Sequence, residues 1–363
     1  MLFKRKLVFK FPLKKKYLFY DYLERFECLF KTEYEKIEIR KEINFFVLCY
    51  SILFFFKSGF KLNISYVNAY ISIVKPKTVF TFADNDPSFY KLKANNLHIK
   101  FISIQNGVRM ISADIFALIK TQNNLSCDEI YVHNKFIGEE YKKIIKAKII
   151  PAGSLLNNFN KKKKKVLKHD ITFISQFESK ENFNPKNYFF KKISWEEYYE
   201  AEYKALKVIE KFTTDNNLFL NIWIRNHKDN SEKNFYKNIL KKNFYFSLRN
   251  KNNNQYDVCD ESRLVVFIDG TLGYESISRG NKTIGIAIRN EIINDYSYKF
   301  GWPKYLSSSG PSWTSFYNEK LIYELLHNNF NQSIKNWNKI NKKYLKDLMV
   351  IKKNNLLNTE IFK

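Results

Sequence analysis

The chain has 363 residues, enough for one large or two medium domains with a sizeable core. Hydrophobic residues make up 45% of it and aromatics 17%, a composition that excludes a disordered chain. Its net charge of +26 comes from 62 Lys plus Arg against 36 Asp plus Glu. Such a charge fits a nucleic-acid binder, a protein lying on an anionic membrane face, or AT-rich coding drift toward Lys, Asn and Ile. The basic residues are spread along the chain and no nucleic-acid module signature is present, so drift and membrane attraction are preferred and no nucleic-acid partner is expected.

The four cysteines, Cys28, Cys49, Cys127 and Cys259, form no CxxC pair. They are expected to stay reduced and buried as small hydrophobes, with neither a zinc site nor a disulfide framework. The opening MLFKRKLVFKFPLKKKYLF has basic residues throughout and no uninterrupted apolar core, which makes a poor secretory signal. A cytoplasmic protein is expected, with peripheral attachment to the inner face of the cytoplasmic membrane as the variant.

Residues 1–40 turn from basic to mixed charge, and EYEKIEIRKEI places opposite charges at helical spacing, so an exposed helix is predicted there. Ile43–Phe56 is the most apolar run. At about 14 residues it falls short of the ~20 that cross a bilayer, so a buried helix is expected, with an interfacial or re-entrant placement as the alternative. A helix holding Tyr66, Tyr70 and Ile73 follows. KTVFTFADNDP then reads as a strand ending in an acidic turn, followed by a helix over Ser88–Asn95 and a strand over Ile99–Ile104 that ends in Gln105-Asn106-Gly107-Val108-Arg109. Another strand, a helix from Lys135 and a strand to Pro151 complete a parallel α/β pattern.

The lysine run Lys161–Lys165, which follows the Asn-rich LLNNFN, marks a mid-chain division and is read as a solvated linker or a contact to phosphate or lipid. A second alternation then begins with a strand to Ile174 ending in Ser175-Gln176, a long helix from Ser194, and a strand ending in Arg225-Asn226-His227-Lys228. The organising stretch is LVVFIDGTLGYESISRGNKTIGIAI, residues 264–288. An apolar run, the Asp269-Gly270 break, a helix capped by Thr271 and a second apolar run make half of a doubly wound nucleotide-binding unit. Backbone N–H groups and the helix dipole at that helix start favour an anion, with Thr271 adding a hydroxyl and Glu275 accepting from a ribose. An ordinary strand–helix joint is the plainer alternative. Beyond Leu321 the tail is polar and helical.

VFTFADNDPSFY with IKFISIQNGVR resembles the N-terminal half, and ITFISQFES, LNIWIRNHKD and VVFIDGTLGYESISRGNKTI the C-terminal half, of bacterial surface-carbohydrate (O-antigen or capsule) biosynthesis proteins. These look like GT-B-type glycosyltransferases, similar in layout to enzymes that transfer Kdo or sialic acid from CMP-sugars and more distantly to teichoic-acid glycerophosphotransferases. The resemblance covers roughly residues 60–310. It implies an α/β fold of two Rossmann-like parallel-sheet domains facing across a cleft. The expected division is residues 1–160 on the acceptor side, 161–320 binding the nucleotide-sugar, and 321–363 as a helical tail.

The resemblance also implies roles. Gly270, Thr271, Leu272 and Gly273 would hold the donor phosphate, Glu275 the ribose, and Ser175, Gln176 and Arg225 would line the nucleotide side. Related sequences often carry Ser at the Gly270 position. His227 stands where relatives carry His before Pro, with Lys228 replacing the Pro here, and would donate to the donor or protonate the departing phosphate. Sugar transfer needs a carboxylate as base or nucleophile, for which Asp84 and Asp86 are the candidates, although Asp-Asn-Asp-Pro is also good turn chemistry. Gln105, Asn106 and Arg109 would orient the acceptor or donor sugar. No metal and no cofactor is expected beyond the nucleotide-sugar donor as substrate, and the acceptor would be a lipid-linked or growing glycan. A polyol-phosphate transferase using a CDP-linked donor and a non-catalytic polyanion-binding protein are the alternatives.

Overall fold

The computed structural model describes residues 5–58, 62–111, 115–117, 124–160, 162, 166–183, 193–225, 230–248 and 254–351. They divide into two compact units. The first takes the chain to Asn106 and then 124–159; the second takes Gly107–Ala117 and then Asn160–Ile351.

In the first unit the strands are β1 (Lys6–Val8), β2 (Tyr17–Tyr20), β3 (Glu35–Ile37), β4 (Glu42–Asn44), β5 (Thr78–Thr81), β6 (Lys100–Ile104), β7 (Leu125–Val132) and β8 (Ile145–Pro151). Its helices are α1 (Phe45–Ser58), α2 (Leu62–Val74), α3 (Pro87–Leu92), α4 (Lys135–Lys142) and α5 (Leu155–Phe159). Six strands form one parallel sheet in the order β3-β2-β5-β6-β7-β8, while β1 pairs separately with β4. Because β3 and β5 flank β2, the chain reverses its direction of sheet growth at the β2–β5 junction, the place where doubly wound sheets open a crevice. All four positions of β2 are buried. Its core is aromatic rather than β-branched: Phe19 stacks on Phe80 at 5.3 Å and Phe26 on Phe82 at 3.8 Å between ring centroids.

The structure corrects three expectations here. The mixed-charge helix predicted over EYEKIEIRKEI is instead β3 and β4, joined by a turn. The apolar helix α1 is not buried, Phe56 being 79% exposed. Cys28 and Cys49 are exposed, and only Cys127 and Cys259 are buried. Among the described residues no helix is long and apolar enough to cross a membrane.

The second unit holds β9 (His169–Ile174), α6 (Trp195–Asp215), β10 (Leu220–Ile224), α7 (Asn230–Ile239), β11 (Phe244–Leu248), α8 (Gln255–Asp260) and β12 (Ser262–Phe267). It continues with α9 (Thr271–Ser278), β13 (Thr283–Ile286), α10 (Arg289–Ile293), β14 (Ser309–Gly310), β15 (Trp313–Thr314), α11 (Glu319–Asn331) and α12 (Ile334–Leu345). Its sheet runs β11-β10-β9-β12-β13-β15-β14, parallel except for the last pair. The run after Arg263 is apolar at every position because both faces are covered. Leu264, Val266 and Ile268 join the core with α6, α7 and α11, while Val265 and Phe267 join the one with α8, α9 and α12. The polar tail is part of this unit: Trp337 of α12 is buried, and its indole N–H donates to Asn329 Oδ1 at 2.7 Å.

Candidate functional site

Strand β9 lies inside the second sheet, with β10 on one side and β12 on the other. Since β10 and β11 extend one way and β12 and β13 the other, the β9–β12 junction is the switch point of this sheet. Ligands of doubly wound folds sit outside the carboxyl ends of such a pair. The two segments leaving those ends are Ser175-Gln176 and Ile268-Asp269-Gly270.

Helix α9 begins there. Its N-cap is Gly270, with φ −75° and ψ 148°, and no side chain caps it. The cap predicted at Thr271 is therefore one residue late, and Thr271 is the first helical residue. Its half-buried Oγ1 accepts the Val108 N–H at 2.9 Å, which leaves the hydroxyl proton for another acceptor. The start of α9 thus combines uncapped backbone N–H groups, the positive end of the dipole and one hydroxyl. Leu272 is half-buried beside it.

Gly270 and Gly273 serve different needs. A Cβ on Gly270 would lie 2.5 Å from Nε2 of Gln176, so the bare backbone lets that amide lie against the turn. A Cβ on Gly273 would fall 2.1 Å from the Phe267 ring, so this glycine seats α9 on β12 and does not face a phosphate.

Arg225 ends β10 with an exposed side chain. Its Nη1 donates to Gln176 O at 3.1 Å and its backbone N–H donates to Glu232 at 2.9 Å. A guanidinium and an uncapped helix start are thus joined through Gln176 at the carboxyl ends of the central strands. Beneath them Arg289 is fully buried, pairs with both Asp269 and Glu202, and donates to Tyr198 O at 3.1 Å. Burial raises the Glu202 carboxyl above its usual range even with Arg289 opposing it. This ion cluster holds Asp269 and the segment after β13 in place.

Three residues of the second unit that were expected as ligands are buried and bonded within the fold. Ser175 is buried, donating to Glu232 and accepting the Tyr236 O–H at 2.7 Å, so it ties β9 to α7. Glu275 is buried too, with Oε1 accepting from the Tyr256 hydroxyl at 3.1 Å. Arg109 is buried with Nη1 directed to Val108 O at 3.4 Å. His227 lies outside the described residues. Of the lysine run only Lys162 is described, its ammonium donating to Arg279 O at 3.1 Å.

In the first unit the strand-end polar groups are largely structural. Asp84 is fully buried; its carboxylate accepts from Tyr141 Oη and, at 3.2 Å, from Asn106 N. Gln105 Oε1 accepts His133 N at 2.8 Å, and Asn106 Nδ2 donates to Phe82 O. Asp86 is partly exposed and caps α3 by accepting Ser88 N at 2.9 Å, while its other oxygen accepts the Tyr20 hydroxyl at 2.6 Å.

Sequence reasoning missed Asp21. It follows β2 directly, at the β2–β5 switch point, and is 5% exposed with a left-handed φ of 51°. Arg40 Nε lies 2.8 Å from its Oδ2, yet burial outweighs that cation and raises the carboxyl above its usual range, with Asp86 adding to the rise. An acid closing the buried run YLFY was the available signal. Among the described residues no cluster of three or more His, Cys, Asp or Glu could hold a metal ion.

The fold is similar to that of a solved "putative UDP-N-acetylglucosamine 2-epimerase from Listeria monocytogenes", with a TM-score of 0.54, 10% identity and 93% of each chain covered. A Neisseria meningitidis UDP-GlcNAc 2-epimerase bound to UDP-GlcNAc matches at 0.46 and 10% identity, over 80% of this chain and 76% of that one. A Rickettsia africae glycosyltransferase matches at 0.42 and 13% identity, over 87% and 85%. No curated protein sequence matches the chain significantly. The two parallel sheets are thus GT-B-like, an architecture this chain shares with a structure described as a nucleotide-sugar enzyme. Matched over residues 102–363, well over half its length, by the family model described as "putative O-antigen biosynthesis protein", the chain belongs to that family.

Proposed function

We propose that the protein is a glycosyltransferase of surface-polysaccharide assembly, holding the phosphate of a nucleotide-sugar donor at the start of α9. The observation that supports this most is that uncapped start at the β9–β12 switch point, with Thr271 and Arg225 at the same carboxyl end of the sheet. As the bond from the anomeric carbon to the phosphate breaks, the phosphate keeps the electron pair. The α9 N–H groups and the Arg225 guanidinium stabilise that growing charge. The acceptor oxygen bonds the anomeric carbon after losing its proton to a carboxylate, for which Asp86 and Asp21 are the candidates. His227 is retained as a donor to the leaving phosphate. A CMP-linked ulosonate such as Kdo fits two positive centres through its phosphate and carboxylate, and a nucleoside diphosphate fits them through its two phosphates.

Calorimetric titration with CMP, CDP, UDP and GDP tests this. One of them binds, and Arg225→Ala weakens it roughly tenfold, the cost of a lost charged hydrogen bond. Released nucleotide is then followed with matched sugar donors and a lipid-linked glycan. Failure of every nucleotide to bind overturns the proposal. Epimerisation of a free nucleotide-sugar, or transfer of a polyol phosphate from a CDP donor, replaces it.

A further inference from the structure

The first unit carries an apolar surface that its own fold does not cover. The segment from Lys6 to Leu13 is extended and pinned: Lys6 N donates to Lys41 O at 2.8 Å, β1 pairs with β4, and Asn44 Nδ2 donates to Lys10 O at 2.6 Å. Leu7, Phe9, Phe11 and Leu13 nevertheless all face outward, Phe9 being 62% exposed. Ring contacts of 5.4 Å between Phe9 and Phe45 and 5.7 Å between Phe11 and Phe46 continue this surface onto α1. Along α1 it runs on through Ile52, Leu53 and Phe56, which are exposed as well.

A helix apolar on nearly all sides is stable only where something other than water surrounds it. With 14 residues α1 is about 21 Å long, too short to span a bilayer of ~30 Å but long enough to lie in its surface. Charge selects the occupant. Lys6, Lys10, Lys14 and Lys16 are exposed between and beside the apolar residues, whereas the cores of protein interfaces are depleted of lysine. Nearby acids are engaged locally: Glu35 accepts Leu13 N at 3.0 Å and Glu33 pairs with Lys15. Apolar rings interleaved with lysines match the boundary between acyl chains and anionic headgroups.

We infer that this surface, the Lys6–Lys16 segment with the outer face of α1, docks the protein on an anionic lipid bilayer. The rings enter the headgroup boundary and the lysines meet lipid phosphates. The surface belongs wholly to the first unit, so the inference does not depend on the nucleotide site.

The test is co-sedimentation of the full chain with vesicles of phosphatidylcholine alone and with about a quarter phosphatidylglycerol, at low and high salt. Wild type partitions onto the anionic vesicles. Lys6→Ser/Lys10→Ser/Lys14→Ser loses roughly fivefold per lysine at low salt and little at high salt. Phe9→Ser/Phe11→Ser/Phe56→Ser loses at least tenfold at either salt. Circular dichroism and thermal melts matching wild type show that the variants are folded. Binding by the ring variant equal to wild type overturns the inference, as does wild type ignoring both vesicles. A dimer in light scattering that the ring variant converts to monomer overturns it too, because a second copy then covers the face. Vesicle binding without any nucleotide binding would defeat only the proposed function.

Discussion

The Thr271 hydroxyl and the Val108 backbone N–H, 163 positions apart in sequence, meet at 2.9 Å. This bond binds the segment after Gly107 to the start of α9, so Thr271 fixes a loop, and in the proposed function it also gives its proton to the donor phosphate. The two roles separate by substitution. Thr271→Ser keeps both and should bind nucleotide within about threefold of wild type. Thr271→Val keeps the shape but leaves the Val108 N–H without its acceptor. It should lower stability by about 1 kcal/mol in urea melts and weaken nucleotide binding roughly tenfold in calorimetry. Equal affinity in the Val variant would remove Thr271 from the site.

Gly273 makes a sharper demand. Phe267 leaves no room for a Cβ on the facing turn of α9, and the obstacle is a buried ring in contact with Tyr274 at 5.1 Å between centroids and with Phe300 at 6.2 Å. Gly273→Ala should cost about 1–3 kcal/mol or more by overpacking. Adding Phe267→Leu should recover part of that loss, read as a rise in the urea midpoint over the single variant. A Gly273→Ala protein as stable as wild type would show that α9 and β12 separate easily.

What the sequence disclosed follows the physics of each element. In β10 and in the Leu264–Phe267 part of β12, apolar residues at nearly every position signal strands covered on both faces, and the Asp269-Gly270 break marks the helix start. The short β2 and β3 carry no readable period; β2 takes its place by pairing with β5, some sixty residues on, and β3 by pairing with β2, while EYEKIEIRKEI mimics a helix by its charges. Site residues were legible as strand ends but not as exposed or buried. Ser175 is closed off by Glu232, 57 positions away, and Gln105 by His133, 28 positions away, and no local pattern reveals such partners. Arg225 and the α9 start were legible because they depend on where a strand stops.

Arg289 is the cation on which the buried end of the site depends. With its Tyr198 ring contact at 4.0 Å and two carboxylates in the same enclosed space, Arg289→Met strands Glu202 and Asp269 without a counter-charge. The expected loss is about 3–5 kcal/mol by urea denaturation. Combining it with Glu202→Gln and Asp269→Asn should restore much of that loss, since the penalty comes from the unpaired charges. If the triple variant is no more stable than the single one, packing around the guanidinium matters more than its charge.

Asp21 should reveal itself through pH. Its folded-state pKa is raised, first by burial and then, against Arg40, by Asp86 and Glu38, with Lys41 lowering it. Its contribution to stability is therefore complete below the unfolded-state value, about 4, and is lost as pH climbs through the raised folded value. Asp21→Asn removes that loss. Urea midpoints of the variant should exceed those of wild type near neutral pH, with the gap closing as pH falls toward 4, while glycosyl transfer drops if the carboxylate takes the acceptor's proton. A variant less stable than wild type at neutral pH would mean that the Arg40 pairing outweighs burial. Greater stability with undiminished turnover would leave Asp86 to carry the proton transfer.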